Sequence, residues 1–176
     1  MSRASTARTQ PPIALPENAF DMFNTDRQAV VLVSMTDATD PLASFSRHSV
    51  TLDGAEWPSV EHYFHGMKFQ APELRELLLG ATHPTDARKL AKQHRRHIRA
   101  DWKQIEETVM SRGVYVKCRS HEDAAAALLA TGDRRIMETS AYDYHWGCGR
   151  DGRGNNAYGK ILMAVRGKLR ERRAGN

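Results

Sequence analysis

Apolar positions along the chain predict a short β element followed by a series of helices. Residues 29–33 form an apolar, β-branched run, and residues 49–52 alternate like a half-buried strand before the turn at Asp53-Gly54. Helical spacing appears in the segments 59–70, 72–79, 84–97, 101–116, 122–129 and 158–170. We therefore expect a mainly α fold, a single compact helical domain with a small N-terminal β element.

The first predicted helix carries candidate chemistry on one face. Ser59 is suited to cap its first turn, because a Ser side chain accepts the free amide hydrogens there. Glu61, His65 and Lys68 stand at i, i+4 and i+7 and would share a face. Glu61 and Lys68 would lie about 10 Å apart along the axis, which suits two parts of one ligand better than a salt bridge. An ordinary amphipathic helix explains the same pattern, with the opposite face in the core: Val60, Phe64 and Met67.

Length and composition predict one globular domain. The chain has 176 residues, 40% of them hydrophobic and 27% charged, which is typical of a protein folded in water. Residues 1–18 are rich in Ser, Thr, Pro and Arg and are predicted to be a flexible tail before a domain at 19–173. No apolar run approaches the roughly 20 residues that span a bilayer, so no membrane partner is expected. The two cysteines lack metal-ligand spacing, and a reducing, cytoplasmic setting is the default expectation.

The net charge of +5 favours anionic partners. It suits a phosphorylated metabolite or a nucleic acid equally well. Six cations lie close together in the segment 84–99: Arg88, Lys89, Lys92, Arg95, Arg96 and Arg99. A solvated helix face explains such a run, and contact with phosphate groups or a nucleic-acid backbone is the functional alternative.

A second stretch, residues 138–156, combines glycines with large aromatic side chains. A Gly-rich loop can bring backbone amides close to a phosphate. Its spacing is neither the P-loop nor the dinucleotide fingerprint, and an ordinary surface loop is the alternative. Trp146 and its two neighbouring tyrosines favour a binding loop. His62 and His65 are spaced i, i+3 rather than i, i+4, so no zinc site or other metal is expected.

Two stretches of the chain resemble the signatures of a known family. Trp57-Pro58-Ser59-Val60-Glu61-His62-Tyr63-Phe64 with Lys68-Phe69 resembles a W-P-[ST]-x-E-H-Y-F-x-x-x-K-F pattern. Asp143, Trp146-Gly147 and the residues up to Arg166 are similar to the closing pattern of the same family. The family that these patterns resemble is NADAR, the YbiA-like N-glycosidases, and the resemblance covers residues 41–169. It implies an N-glycosidase without a cofactor that cleaves the bond between ribose and a base. The implied substrate is a phosphorylated ribosyl-base, foremost phosphoribosylaminopyrimidine intermediates of riboflavin biosynthesis.

The resemblance also implies the site residues. Glu61, Lys68 and Asp143 are expected to be catalytic. Glu61 would stabilise positive charge on the anomeric carbon, and Lys68 would either hold a phosphate or attack the opened sugar as a Schiff-base nucleophile. Substrate binding is expected from eight further residues: Trp57, His62, Tyr63, Arg88, Trp102, Trp146, Gly147 and Asn156.

The chain departs from the family pattern at three places. Ser44 stands where the family usually has Asn, His65-Gly66-Met67 replaces the common Q-A-Q, and Cys118 replaces a Phe. We expect retained activity with an altered substrate preference. Two alternatives stay open, namely removal of ADP-ribose from guanine in nucleic acid, as an antitoxin does, and non-catalytic binding of NAD or ADP-ribose. Oligomeric state is not predicted.

Overall fold

The computed structural model describes residues 30–175 of the chain. These residues form four short strands, six α-helices and one 3₁₀ turn at Arg95–His97. In chain order the elements are β1 (Val30–Val33), β2 (Val50–Leu52), β3 (Ala55–Trp57), α1 (Val60–Gly66), α2 (Pro72–Leu79), α3 (Pro84–Gln93), α4 (Trp102–Ser120), α5 (Glu122–Ala130), β4 (Arg135–Glu138) and α6 (Ala157–Ala174). The mainly α prediction is confirmed. The tail predicted at 1–18 lies outside the described residues.

The strands form two separate two-stranded sheets. β2 and β3 make the predicted hairpin, in which Asp53 and Gly54 take the positive φ angles of 52° and 81° that the tight turn requires. β1 pairs in parallel with β4, with Val31 opposite Ile136. The predicted small N-terminal β element corresponds to β1, β2 and β3, whereas the pairing of β1 with β4, from the other half of the chain, was not predicted.

α1 lies at the centre of the domain. It packs against α2, α3 and α4, and all seven of its residues are buried. Ser59 caps it as predicted, since its Oγ accepts a hydrogen bond from the His62 amide at 3.3 Å. The helix ends at Gly66 rather than near residue 70, so Lys68 lies just beyond it. An amphipathic helix with a solvated polar face is thus wrong, because Glu61 and His65 are buried with the apolar residues.

α4 connects the two sides of the fold. It packs against α1 on one side and against α5 and α6 on the other. Gly113 permits the close approach to α1, because a Cβ there would lie 2.9 Å from Val60 Cγ1 and 3.2 Å from Tyr63 Cδ1. β4 packs against α6. The two helices that carry parts of the family signatures, α1 and α6, both pack against α4.

Several helix boundaries differ from the predicted ones. The segment predicted as one basic helix at 84–97 is α3 followed by the 3₁₀ turn, and α4 and α6 extend four residues beyond their predicted ends. Within residues 30–175, no helix has both the length and the apolar character needed to cross a bilayer.

Candidate active site

A pocket of about 320 Å³ lies between α1, α3 and the loop that precedes α6. Its volume is at the lower end of the range for small-molecule sites. The pocket is lined by eight residues: Met35, Glu61, Phe64, His65, Lys68, Arg88, Asp143 and Trp146. It therefore brings together all three predicted catalytic residues and two of the predicted substrate-binding residues.

Glu61 is the most heavily bonded side chain of the pocket. Its side chain is 2% exposed, and its Oε2 accepts a hydrogen bond from Ser44 Oγ at 2.8 Å. Its Oε1 accepts from His65 Nε2 at 2.9 Å and from Arg88 Nε and Nη2 at 3.2 and 2.9 Å. Burial raises the pKa of Glu61, but the hydrogen bond from His65, the charge of that ring once acid protonates it, and the charge of Arg88 outweigh burial and lower the pKa to about 2. Glu61 is accordingly a carboxylate at neutral pH.

The segment that carries Ser44 is anchored by a buried lysine. Lys117 Nζ donates hydrogen bonds to the carbonyl oxygens of Pro41 and Ala43 at 2.6 and 2.8 Å, and to Ser46 Oγ at 3.3 Å. Burial lowers the pKa of Lys117 to about 8. These bonds hold residues 41–46 in the position that directs Ser44 at the pocket carboxylate.

Lys68 presents its amine beside aromatic rings. Its Nζ lies 5.0 Å from the centroid of the Phe64 ring and 5.6 Å from that of Trp102. Burial lowers the pKa of Lys68 to about 8, although the charges of Glu61 and Glu106 oppose the shift. No described residue accepts a hydrogen bond from this amine. The predicted Trp102 therefore lies behind Lys68 and supports it rather than lining the pocket.

Asp143 and Trp146 come from the Gly-rich loop. Asp143 Oδ1 accepts hydrogen bonds from the amides of His145 and Trp146 at 2.9 and 2.8 Å. The Trp146 ring meets Phe64 edge to face at a centroid distance of 5.4 Å. Gly147 lets this loop close, because a Cβ there would collide with the Glu138 carboxylate. The contacts give the loop a defined shape at the pocket mouth.

Besides Trp102, five predicted substrate-binding residues lie outside the pocket. They are Trp57, His62, Tyr63, Gly147 and Asn156. Trp57 Nε1 donates to the Leu52 carbonyl at 3.2 Å, and Tyr63 Oη donates to Asp53 at 3.0 Å. The Trp57 bond lies within the hairpin, whereas the Tyr63 bond joins α1 to the hairpin turn, and the two rings pack edge to face at a centroid distance of 6.0 Å.

His62 and Asn156 also have structural partners. His62 lies between Ser59 Oγ, 2.8 Å from its Nδ1, and the Ala81 carbonyl, 3.1 Å from its Nε2, in the wall of a separate cavity. Asn156 has a left-handed φ of 53°. Its amide nitrogen donates to the Ile136 carbonyl and its amide oxygen accepts from the Glu138 amide, both at 2.9 Å. Asn156 thus joins the start of α6 to β4.

The site residues predicted from sequence omit four residues found at the site. Two of them, Phe64 and His65, line the pocket, although Phe64 was expected in the core and His65 was only placed on the Glu61 face of the helix. Met35 lines the pocket and Ser44 bonds to its central carboxylate. Ser44 had one sequence signal, namely its departure from the family's Asn. Met35 had none, because only the pairing of β1 with β4 places the segment after β1 near the Gly-rich loop.

A second, basic cavity lies along the end of α3 and the 3₁₀ turn. It has a volume of about 610 Å³ and is lined by seven residues: Lys89, Lys92, Gln93, His94, Arg95, Arg96 and His97. Within the described part of the chain, Lys89 alone of these cations has a carboxylate partner, Asp86 at 3.6 Å. Lys92 follows Arg88 by one helical turn, so this basic groove begins next to the pocket. No group of potential metal ligands is found among the described residues.

Comparison with known proteins identifies the family. A sequence model of the NADAR domain matches residues 22–170. The chain belongs to the NADAR family. This NADAR chain is 41% identical over 130 residues to riboflavin biosynthesis protein VVA0006 of Vibrio vulnificus, a match that covers 74% of the chain and 35% of that protein. It is 31% identical over 136 residues to N-glycosidase YbiA of Escherichia coli, covering 77% of the chain and 85% of YbiA.

The fold of this NADAR chain is also that of a solved structure. The NMR structure of E. coli YbiA superimposes with a TM-score of 0.76 at 27% identity, covering 92% of the chain and 97% of YbiA. The predicted activity class, hydrolysis of N-glycosyl bonds, is the one in the name of YbiA. The match to the Vibrio protein, by contrast, spans only about a third of that protein's length.

Proposed function

We propose that this NADAR chain hydrolyses the N-glycosyl bond between a phosphorylated ribose and a base, and that its substrate is an aminopyrimidine intermediate of riboflavin biosynthesis. The observation that carries the proposal is the ionised Glu61 buried in a pocket with a second carboxylate, two cations and aromatic rings. The relatives named N-glycosidase and riboflavin biosynthesis protein support the reaction and the substrate class.

Glu61 meets the main electrostatic demand of the reaction. Breaking a ribosyl C–N bond builds positive charge on the anomeric carbon, and a fixed carboxylate stabilises that charge in a site with little water. Because Ser44, His65 and Arg88 already donate to both of its oxygens, Glu61 is a weak base. We infer that it stabilises the sugar cation and orients the attacking water rather than removing a proton early.

Asp143 is suited to bind the ribose. One of its oxygens is held by two loop amides, which fixes the orientation of the carboxylate. The other oxygen can then accept hydrogen bonds from ribose hydroxyl groups. Trp146, fixed against Phe64, offers a ring on which a pyrimidine base stacks.

Lys68 is better placed than Arg88 to hold the phosphate. Arg88 was expected among the substrate-binding residues, but two nitrogens of its guanidinium are directed at Glu61, and we infer that its role is to hold the carboxylate. The Lys68 ammonium has aromatic neighbours and no described acceptor. It is thus available to an anionic group, and its lowered pKa also keeps the Schiff-base alternative open.

The substrate class is tested by detecting the released base with liquid chromatography and mass spectrometry. A phosphoribosylaminopyrimidine and the same molecule without its phosphate are offered to the wild type. We expect release from the phosphorylated molecule and much slower release from the other. Equal rates on both molecules would show that the enzyme does not recognise the phosphate. Saturable binding without release would favour the alternative of a non-catalytic NAD- or ADP-ribose-binding module.

The basic groove favours one second candidate, hydrolysis of ADP-ribosyl-guanine in nucleic acid. Most cations of this groove have no carboxylate partner among residues 30–175, and such a row of cations suits a phosphodiester backbone. The double variant Arg95→Ala/Arg96→Ala separates the two candidates. If nucleic acid is the substrate, the variant loses activity on an ADP-ribosylated oligonucleotide and its rate becomes less sensitive to salt. If the free nucleotide is the substrate, its release rate stays that of the wild type.

A further inference from the structure

His65 occupies an unusual position in the pocket wall. It lies one turn after Glu61 on α1, and its Nε2 is 2.9 Å from Glu61 Oε1, with 6% and 2% of the two side chains exposed. Its other nitrogen, Nδ1, is buried and has no hydrogen-bond partner among the described residues. A buried polar atom without a partner costs free energy, so its presence beside a reactive carboxylate calls for an explanation.

The contacts of His65 show which of its two ring nitrogens carries the hydrogen. A carboxylate only accepts hydrogen bonds, and Arg88 and Ser44 already donate to the two oxygens of Glu61. Nε2 of His65 must therefore carry a hydrogen, which leaves Nδ1 as the acceptor of a neutral ring. Burial lowers the pKa of His65, and the nearby charges of Lys68 and Arg88 lower it further, although the bond to Glu61 opposes them.

The surroundings of His65 contain both signs of charge. The charged groups that share the pocket or approach it are Glu61 on α1, Lys68 just beyond it, Arg88 on α3, Asp143 on the Gly-rich loop, and Glu106 of α4, whose charge acts on Lys68. Two cations already lie near the ring. A proton on Nδ1 would add a third positive charge to a pocket in which a sugar cation has to form.

We propose that His65 is a positioning residue for Glu61, whose neutral ring holds the carboxylate in place and whose protonation at Nδ1 switches the reaction off. The proposal rests on the proposed function, since it concerns the same carboxylate. Protonation leaves the carboxylate in place but cancels part of its negative field at the anomeric carbon. Because Glu61 itself stays ionised far below neutral pH, the loss of activity in mild acid is assigned to His65.

The decisive measurement is the pH profile of kcat/KM for base release. For the wild type we expect a fall of about tenfold per pH unit below the midpoint on the acid side. His65→Gln, which restores the family's residue, keeps an N–H donor for Glu61 but cannot be protonated. It should retain activity near pH 7.5 and lose the acid limb of the profile, that is, the fall in kcat/KM at low pH. His65→Leu, which has no donor, should be slower by about tenfold or more at every pH, since orientation of the carboxylate is lost.

Two control variants exclude other histidines. His62→Gln replaces the neighbouring buried imidazole, whose ring nitrogens bond to Ser59 and Ala81, and His145→Gln replaces the ring that packs 4.8 Å from Trp146. Both variants should retain the acid limb of the wild type. An unchanged limb in His65→Gln, or a limb removed by either control, would overturn the proposal.

A second measurement needs no substrate. Nitrogen-15 NMR of the histidine rings should show His65 with its hydrogen on Nε2 at pH 7.5, and Glu61→Gln should lower the pH at which this ring becomes protonated, because its negative partner is lost. A hydrogen on Nδ1, or a titration that is insensitive to Glu61→Gln, would overturn the proposal. If the wild type released no base at any pH, the proposed function would fail, whereas the NMR result would still report on the pairing of His65 with Glu61.

Discussion

The buried Lys117 makes the stability of the protein depend on pH in a way that can be calculated. Its side chain has no exposed surface, and among residues 30–175 its ammonium bonds to two carbonyl groups and one hydroxyl group. None of these acceptors carries a negative charge, so they compensate only part of the cost of removing the ammonium from water. The pKa of Lys117 falls accordingly from an ordinary value of 10.5 to about 8.

The sign and size of the effect follow from proton linkage. Below pH 8 the amine is protonated in both the folded and the unfolded chain, so Lys117 contributes no pH dependence to the free energy of unfolding there. Between pH 8 and 10.5 the unfolded chain binds more protons than the folded one, and stability therefore rises with pH. Two pKa values of about 8 and 10.5 give a gain on the order of 2–3 kcal/mol between pH 7 and pH 10.

The assay compares urea unfolding of the wild type and Lys117→Met at pH 7 and pH 10. The difference in the free energy of unfolding between the two proteins should change by on the order of 2–3 kcal/mol in favour of the wild type as the pH rises. Contributions of the other titrating groups largely cancel, because Lys68 and the buried Cys118 are present in both proteins. Lys92→Met, at an exposed position of α3, controls for the loss of one lysine.

The prediction fails if the difference between the wild type and Lys117→Met is the same at both pH values, or if it moves in favour of the variant. Either result would mean that the Lys117 amine is not desolvated as the structure shows. Residues 41–46, and with them Ser44, would then have to be held in place by contacts other than those of the Lys117 ammonium.

Three other substitutions have defined outcomes. Because burial lowers the pKa of Lys68 to about 8, borohydride trapping of a Schiff base during turnover should become faster from pH 6.5 to 8.5 and disappear in Lys68→Arg; no adduct in the wild type would leave Lys68 only the phosphate role. Gly147→Ala should cost about 1–3 kcal/mol and slow base release, since the new methyl group meets the Glu138 carboxylate and the Asp143 and Ser140 carbonyl oxygens. Gly167→Ala, with open space around it on α6, is the matched control and should slightly stabilise the protein. Trp146→Ala should raise KM by roughly two- to tenfold with a smaller change in kcat, and an unchanged KM would show that the ring does not contact the substrate.

Local signals predicted much of the fold. Ser59 as a cap, Asp53-Gly54 as a turn and Pro84 at a helix start act over a few residues, and the structure confirms each. The parallel pairing of β1 with β4 was missed, because it joins segments about 100 residues apart and leaves no periodic pattern in either segment.

The candidate site residues were predicted through the family resemblance, which does not separate residues that line the pocket from residues that pack the fold. The signature places Glu61 and Lys68 in one pocket, but it includes Trp57 and Tyr63 with equal weight. These two rings pack the hairpin against α1, and a short motif does not distinguish packing from chemistry. The contact of Ser44 with Glu61 depends on the path of residues 41–46, which Lys117 fixes from α4.

The most direct test of the central claim is single-turnover base release by the wild type and Glu61→Ala on a phosphoribosylaminopyrimidine. Glu73→Ala, at an exposed position in the first turn of α2, is the matched loss of a carboxylate, and circular dichroism confirms that each protein is folded. We predict release by the wild type and Glu73→Ala at the same rate, and a loss of about a hundredfold or more in Glu61→Ala. A folded Glu61→Ala that releases base within about threefold of the wild-type rate would contradict the account.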